Sequence, residues 1–408
     1  MEKKALSFLL LISITMFCLF ADQNLMAPNL SLMAEEFHFN AKERDEKLGG
    51  YIAFGFFIVG GPVALIVGYF TDSINRCLLF SVVITIGACA SLSTYWVRNY
   101  GELFLCRVLT GISIGGVNPV VFSILGDLFP ESSRVHVSMV IGISQSSGIA
   151  AGQFMAGMIG PRYGWRLPFL LTSMPTLLTG LIVIFALKDP KRGQQERAFQ
   201  TIQSSSFKNQ SLSITVATNP LHGKDSAAPL VENDSSHHQS QGQMIVHSRG
   251  AAEDQITSSP FQEEYLHYSE KIEWEKVKRI FQTPSVVIIF LQGFPGCLPW
   301  GMIYVFLNDY LSTNRHMTIE AATITLTSFG VGGIIGQLFG GYFGQKLYNH
   351  NPRYQTILMG TSTLLAIAPM LLLINIEFSS LFVICFVAFI GGFVINMNGP
   401  NVRAVLQV

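Results

Sequence analysis

The chain has 408 residues, 49% of them apolar and only 13% charged, with a mean hydropathy of +0.40. Soluble domains carry about 25% charged residues, so a single soluble domain, a coiled coil and a disordered chain are excluded. The 26 basic residues balance 26 acidic ones, which leaves a nucleic-acid partner without electrostatic support.

Apolar runs of about twenty residues or more, enough to cross roughly 30 Å of hydrocarbon, recur along the chain and predict an all-α polytopic membrane protein. They cover approximately 5–34, 48–70, 78–97, 101–125, 135–160, 167–187, 284–310, 321–345, 355–375 and 379–403. The expected organisation is a six-helix bundle over 1–187, a cytoplasmic polar linker over 188–283 and four further helices over 284–408.

The first run follows a short basic stretch and could be read as a secretory signal. It shows no small-residue cleavage site, and it resumes beyond Asp22-Gln23-Asn24. A charged residue partway along an apolar segment fits a span that lines a polar cavity. An ionised carboxylate at that depth costs about 2.5–3.5 kcal/mol on insertion scales, so Asp22 requires a cavity or a partner. Arg107, several residues into the fourth span, is the best basic candidate. Such a pair would neutralise itself until a substrate or proton intervened, or would serve only to hold two helices together. On the fifth span Gln145 and Gln153 share a helical face, and Gly148, Gly152 and Gly160 form a stripe along which helices can approach closely.

The linker is rich in Ser, Gln and His and lacks the apolar content to fold alone. His237-His238 read as solvated loop rather than metal ligands. Towards its end Tyr265, Ile272, Trp274, Val277 and Ile280-Phe281 alternate with charged residues, a pattern that suits a short amphipathic helix at the membrane surface or against the protein's own face. Beyond it, Gln292, Gln337, Asn396 and Asn398 place amides in the later spans, where they can meet solute or bond between helices. The six cysteines lack metal-ligand spacing. A phosphate-cradling loop, a nucleophile elbow and a zinc motif are all missing from the sequence, so the expectation is no enzyme activity, no cofactor and no metal.

The lysines and arginines flanking the spans are biased so that the amino terminus and the linker fall in the cytoplasm. A weak repeat is also legible. Gly68-Tyr69-Phe70-Thr71-Asp72 at the end of the second span matches Gly341-Tyr342-Phe343-Gly344-Gln345 at the end of the eighth. Gly115-Gly116 with Asn118-Pro119 in the fourth matches Gly391-Gly392 with Asn398-Gly399-Pro400 in the tenth. A displacement of six spans implies a chain built from two six-span halves.

Several of these motifs together resemble the major facilitator superfamily, most nearly its Spinster-like branch. They are the stretch from Gly68 through Asp72 to Arg76, Arg107 with Gly111, Gly115 and Gly116, Asp127 through Pro130 to Arg134, Gly164-Trp165-Arg166, and Gly399-Pro400-Asn401 with Arg403. The resemblance implies a secondary carrier whose two halves rock around a central site. Gly68, Asp72, Arg76, Asp127 and Arg134 would form a cytoplasmic gate. Asp22 and Arg107 would be the coupling pair, with protonation of Asp22 releasing Arg107 to bind an anionic group, and Gln145, Gln153, Gln292 and Asn396 would add to the solute site. The signature departs from the usual pattern at Ser73, Asn75 and Cys77, and Gln23 stands where many Spinster-like members have an arginine. The family has twelve helices and ten are legible here, so a fragment lacking helices eleven and twelve is expected. The resulting expectation is a proton-coupled transporter of a small organic or amphipathic solute, lysolipid-like solutes included. The competing readings are a transport-inactive truncated carrier and a receptor or scaffold that binds without translocating.

Overall fold

The computed structural model describes residues 2–190, 192, 278, 281–282, 284–376 and 380–406. Most of the linker, and with it nearly all of the expected amphipathic helix, lies outside the described residues. Helix α1 is Glu2–Ala21. The chain then turns through Asp22–Met26, passes Ala27–Asn29 as a single tight turn containing Pro28, and resumes as α2, Leu30–Glu36. Pro28 supplies no N–H and cannot continue a ladder. The first predicted span is therefore a broken helix, with Asp22 at the break.

A π-helical stretch, Arg44–Tyr51, leads into α3, Ile52–Phe70. It is followed by α4, Arg76–Ser93, α5, Tyr100–Leu128, α6, Glu131–Tyr163, and α7, Leu167–Ala186. Beyond the linker come α8, Pro284–Val305, α9, Leu307–Thr313, α10, Ile319–His350, α11, Pro352–Asn375, α12, Leu381–Asn396, and α13, Asn398–Leu406. Side-chain caps set several of the starts. Asn75 accepts from the Leu78 N–H at 3.0 Å, Asn99 from Glu102 at 2.9 Å and Thr318 from Ala321 at 3.2 Å, which satisfies N–H groups that have no partner within the helix. Gly164, at φ 92°, ends α6, a backbone state that glycine adopts without strain.

Eight helical segments among the described residues are long and apolar enough to cross a membrane. Each of the ten predicted spans is helical, but α6 and the first span fall outside those eight. The first is cut short by the break at Asp22. The fifth span, α6, carries Ser138, Ser144, Gln145, Ser146 and Gln153 because it packs between α1 and α10 and presents little surface to lipid. Large apolar side chains such as Leu65, Phe185 and Phe382 are instead exposed on the outside, as a bilayer-facing surface requires.

Two apolar cores lie among the earlier helices, one around Ile12, Met16, Phe80 and Ile124 and the other around Leu25, Leu103, Trp165 and Phe169. A third, around Leu311, Leu326, Phe329 and Ala388, lies among the later ones. The sequence repeat has a packing counterpart. In the first part, α3 meets α5 where Gly60 lies against the backbone of Gly111 and Gly115. In the second, α10 meets α12 where Gly332 and Gly336 lie against the carbonyls of Phe389 and Phe393, and Gly392 against that of Phe329. The Gly148, Gly152 and Gly160 stripe of α6 packs against the carbonyls of Phe17 and Ala21 and the side chain of Asn29. Small residues thus set the helix spacing where van der Waals contact, not hydrophobic burial, holds membrane helices together.

A β-branched side chain at such a contact must push two backbones apart. Gly336→Val is expected to destabilise the fold by about 2 kcal/mol, read as a lower melting temperature in detergent. Gly360→Ala on α11, where an added methyl meets nothing within 4 Å, should leave that temperature unchanged or higher.

Candidate functional site

The break between α1 and α2 places Asp22 in the interior, 7% exposed, opposite Arg107 of α5, 5% exposed. The Arg107 Nη1 donates to Asp22 Oδ2 at 3.3 Å, and its Nη2 donates to Thr94 Oγ1 at 2.9 Å. Ser91 donates a short hydrogen bond to Asp22 Oδ1. The guanidinium lies over the Phe169 ring, 4.6 Å from its centroid, a favourable arrangement for a desolvated cation. The Nε of Arg107 is buried and without a hydrogen-bond partner among the described residues. Asp22 also borders a narrow space lined by Ser91, Thr110, Ser113 and Thr176. The pair is therefore mutually compensated, with one further donor and one further acceptor supplied by α4 and the turn that follows it. Sequence reasoning found both charges and missed Ser91, Thr94 and Phe169, because hydroxyls and rings within apolar runs carry no signal of their own.

Next to the pair, and including Gln23, lies a cavity of about 250 Å³. From the first part of the chain it is lined by Phe20, Gln23 and the Ser138–Ile149 face of α6; from the second, by Trp300 and Tyr304 of α8, Gln337 of α10, Asn396 of α12, and Gly399 and Pro400. Gln145 donates to Asn118 Oδ1 at 2.7 Å. Gln337 donates to Ser146 Oγ at 2.6 Å, a bond from the second part to the first, and lies 3.4 Å from Asn396 Oδ1. Of the predicted amides, Gln145 and Asn396 line this cavity. Gln153 does not: it is buried against the break and accepts from Asn24 at 3.3 Å. Gln292 does not either; it sits on an exposed part of α8, because identity and spacing alone do not say which face of a helix is turned inward.

The residues expected at a gate meet in part. Arg76 is 1% exposed and is ringed by acceptors. It pairs closely with Asp127, donates from Nε to Asp189 Oδ1 at 2.8 Å, and reaches the Ser123 carbonyl at 3.2 Å and the Pro190 carbonyl at 2.7 Å. Asp189, just past α7, was not anticipated. Asp72 is exposed and contributes through its backbone carbonyl, which accepts from Arg192, as do the carbonyls of Thr71 and Ile74. Arg134 donates to the Gly126 carbonyl at 3.0 Å, and Gly68 faces Pro119 at ordinary contact distance.

A second ionic cluster ties the two parts of the chain together at the opposite ends of the helices. Arg44 pairs with Asp309 of α9 at 3.1 Å, and Ser31 donates to the other Asp309 oxygen at 2.6 Å. Nearby, Glu36 accepts from Arg166 and from Trp165 Nε1 at 2.7 Å. The hydrogen bond from Arg166 and then that from Trp165, with the guanidinium's attraction added, hold the Glu36 carboxyl below the usual carboxylate range despite its partial burial.

The geometry defines an integral, multi-pass helical membrane protein with a polar cavity shared between its two helical groups. The sequence profile described as Major Facilitator Superfamily matches residues 12–407, and the chain belongs to that family, whose members are transporters rather than enzymes. Benzoate transport protein of Acinetobacter baylyi is 23% identical over 363 residues, covering 84% of this chain and 66% of that protein. Synaptic vesicle glycoprotein 2B of Homo sapiens is 30% identical over 149 residues, 35% of this chain, and the match spans only 21% of that protein's length. Among solved structures, a bacterial homolog to the human lysosomal transporter Spinster, inward-facing and unoccupied, superposes with a TM-score of 0.63 at 16% identity, covering 100% of this chain and 79% of that one. The proton:xylose symporter XylE bound to 6-bromo-6-deoxy-D-glucose gives 0.64 at 12% identity, covering 100% and 82%. The fold is thus that of the major facilitator superfamily, which both of these structures share.

Two predictions come from the peripheral ion pairs. Asp309→Ala leaves Arg44, only 13% exposed, without its buried partner, and is expected to destabilise the protein by about 3 kcal/mol in thermal melts. Asp45→Ala, which removes a half-exposed partner of the same arginine, should change the melt little. For Glu36, whose folded pKa is depressed, the stabilisation is fully present above the unfolded value of about 4.3 and is lost as pH falls through the lower folded value. A melting temperature followed downward through that window should drop in the wild type by more than in Glu36→Gln.

Proposed function

We propose that this chain acts in secondary active transport, moving a small organic solute by alternating access with proton coupling, and that Asp22 and Arg107 are the coupling pair. The amino terminus and the linker lie on the cytoplasmic side in this reading, so the Arg76 cluster, confined to the first part of the chain, lies at that face, and the Arg44–Asp309 pair ties the two parts together at the other.

One observation carries the proposal. A carboxylate and a guanidinium, both buried, face each other at a helix break beside the central cavity. Discontinuous helices with polar groups at mid-depth are where carriers of this architecture place their sites. Taking up a proton on Asp22 removes the negative partner of Arg107 and leaves a buried cation, which must find another acceptor or another arrangement of the helices. Protonation and conformation are linked by that requirement. The benzoate transport protein among the relatives, and the proton:xylose symporter among the fold neighbours, agree with a carrier of small solutes.

The test is uptake in proteoliposomes across a pH series. Asp22→Asn, which fixes the neutral state, should abolish the dependence of uptake on proton gradient. Arg107→Ala should abolish uptake while the protein still reaches the membrane. Unchanged pH dependence in the first variant, or normal flux in the second, would remove these residues from the mechanism.

A further inference from the structure

The narrow space that borders Asp22 lies wholly within the first part of the chain and shares no lining residue with the central cavity. Its polar walls are Ser91 of α4, Thr110 and Ser113 of α5, and Ser173 and Thr176 of α7, all of them buried. Its volume, about 10 Å³, reaches the roughly 10–15 Å³ that one water requires. Gly87 of α4 also borders it, and a Cβ there would fall on the Ser113 hydroxyl. Each wall hydroxyl has its proton committed elsewhere. Ser91 donates to Asp22 Oδ1, Thr110 to the Arg107 carbonyl at 2.7 Å, and Ser113 to the Val83 carbonyl at 2.7 Å. Ser173 donates to the Leu170 carbonyl at 3.1 Å and Thr176 to that of Thr172 at 2.8 Å. A hydroxyl has one proton and two lone pairs, so these walls offer acceptors and no donor. Such a space suits an occupant that donates. Arg107 is the charged group paired with Asp22. Neither α4, α5 nor α7 brings a titratable side chain to the space, and α6 meets this end of α1 through Gly148 and Gly152.

We propose that this space binds one water, and that the water partners Asp22 in both of its protonation states. Beside the carboxylate, the water donates one hydrogen to Asp22 and the other to a wall hydroxyl, and its own lone pairs find no donor. Once Asp22 is protonated, the acid donates to the water, which turns and donates to two wall hydroxyls. The added proton thus adds a hydrogen bond to a network rich in acceptors. It lies on the Ser91 side of the carboxyl, across from the oxygen that faces Arg107. Lacking such an acceptor, the acid O–H would be a buried donor without a partner, which is costly. Ser113 and Thr176 are positioning residues in this scheme, since they hold the water and not the solute. The inference deepens the coupling role proposed for Asp22 and rests on it.

The experiment follows the full chain in nanodiscs by infrared spectroscopy across a pH series, reading the carboxyl band that Asp22→Asn removes. Thr176→Val, which keeps the side chain's shape and deletes its hydroxyl, and Ser113→Ala should each lower the midpoint of that band's titration by about one pH unit. Thr176→Ser should keep the wild-type midpoint. A wild-type density map that resolves waters should show one within hydrogen-bond distance of Asp22 and of Thr176 or Ser113, and it stands on its own if a variant does not fold. Midpoints that stay or rise in both hydroxyl-free variants, or a water-resolving map with no water at that place, would overturn the inference. Wild-type uptake indifferent to the proton gradient, with the infrared shifts present, would overturn the coupling reading and leave the water site intact.

Discussion

The interior of this protein is organised around one interaction, the buried contact between Asp22 and Arg107. Neither charge could sit where it does alone. Ser91, Thr94 and Phe169 complete the coordination, and the side chains that hold the pair all come from the first part of the chain. Neutrality is therefore settled within that part. The cavity beside it, which both parts line, is free to be built from amides, hydroxyls and rings. A charged residue in that lining would compete for the pair and alter the solute the site accepts.

Around that centre, helix spacing is set by glycine. The second and fourth predicted spans meet through Gly60, Gly111 and Gly115, and the eighth and tenth meet through Gly332, Gly336 and Gly392. The contact recurs six spans later, as the sequence repeat does, so the repeated motifs mark repeated packing. Close backbone approach leaves no space for lipid between such helices. Charged clusters lie at the two ends. Arg76 gathers its partners within the first part and from the stretch after α7, whereas Arg44 and Asp309 join the first part to the second.

Much of this was legible in the sequence, for physical reasons that also mark the limits. Asp22 and Arg107 stand out because charges within apolar runs are rare. The span positions are readable because hydrocarbon thickness dictates their length. Asp189, Asp309 and Arg44 were not singled out, because at helix ends a charge is the ordinary condition and only the fold shows which of them are buried. Gln292 and Gln153 fall outside the cavity because an amide in a span is equally at home bonding a neighbouring helix or lying exposed. The polar character of α6 shows the converse case. Its serines and glutamines lower its hydropathy because it runs through the middle of the protein, so the segment least like a lipid-facing span is the one that lines the site.

The hydrogen bond from Gln337 to Ser146 ties these levels together. It crosses from α10 to α6, so it belongs to the interface between the two parts, and both residues line the cavity. A solute group that accepted from Gln337 in place of Ser146 would exchange a bond between the two parts for a bond to itself. A ligand shifts a conformational equilibrium only through a difference in its interactions with the two states, and a site built on the interface supplies that difference directly. Under the proposed function, occupancy would weaken one of the contacts holding the parts in this arrangement, while the Asp22–Arg107 pair, whose side chains both come from the first part, would take up the proton. The two inputs would then act on different bonds of the same interior, which is the physical condition for coupling them.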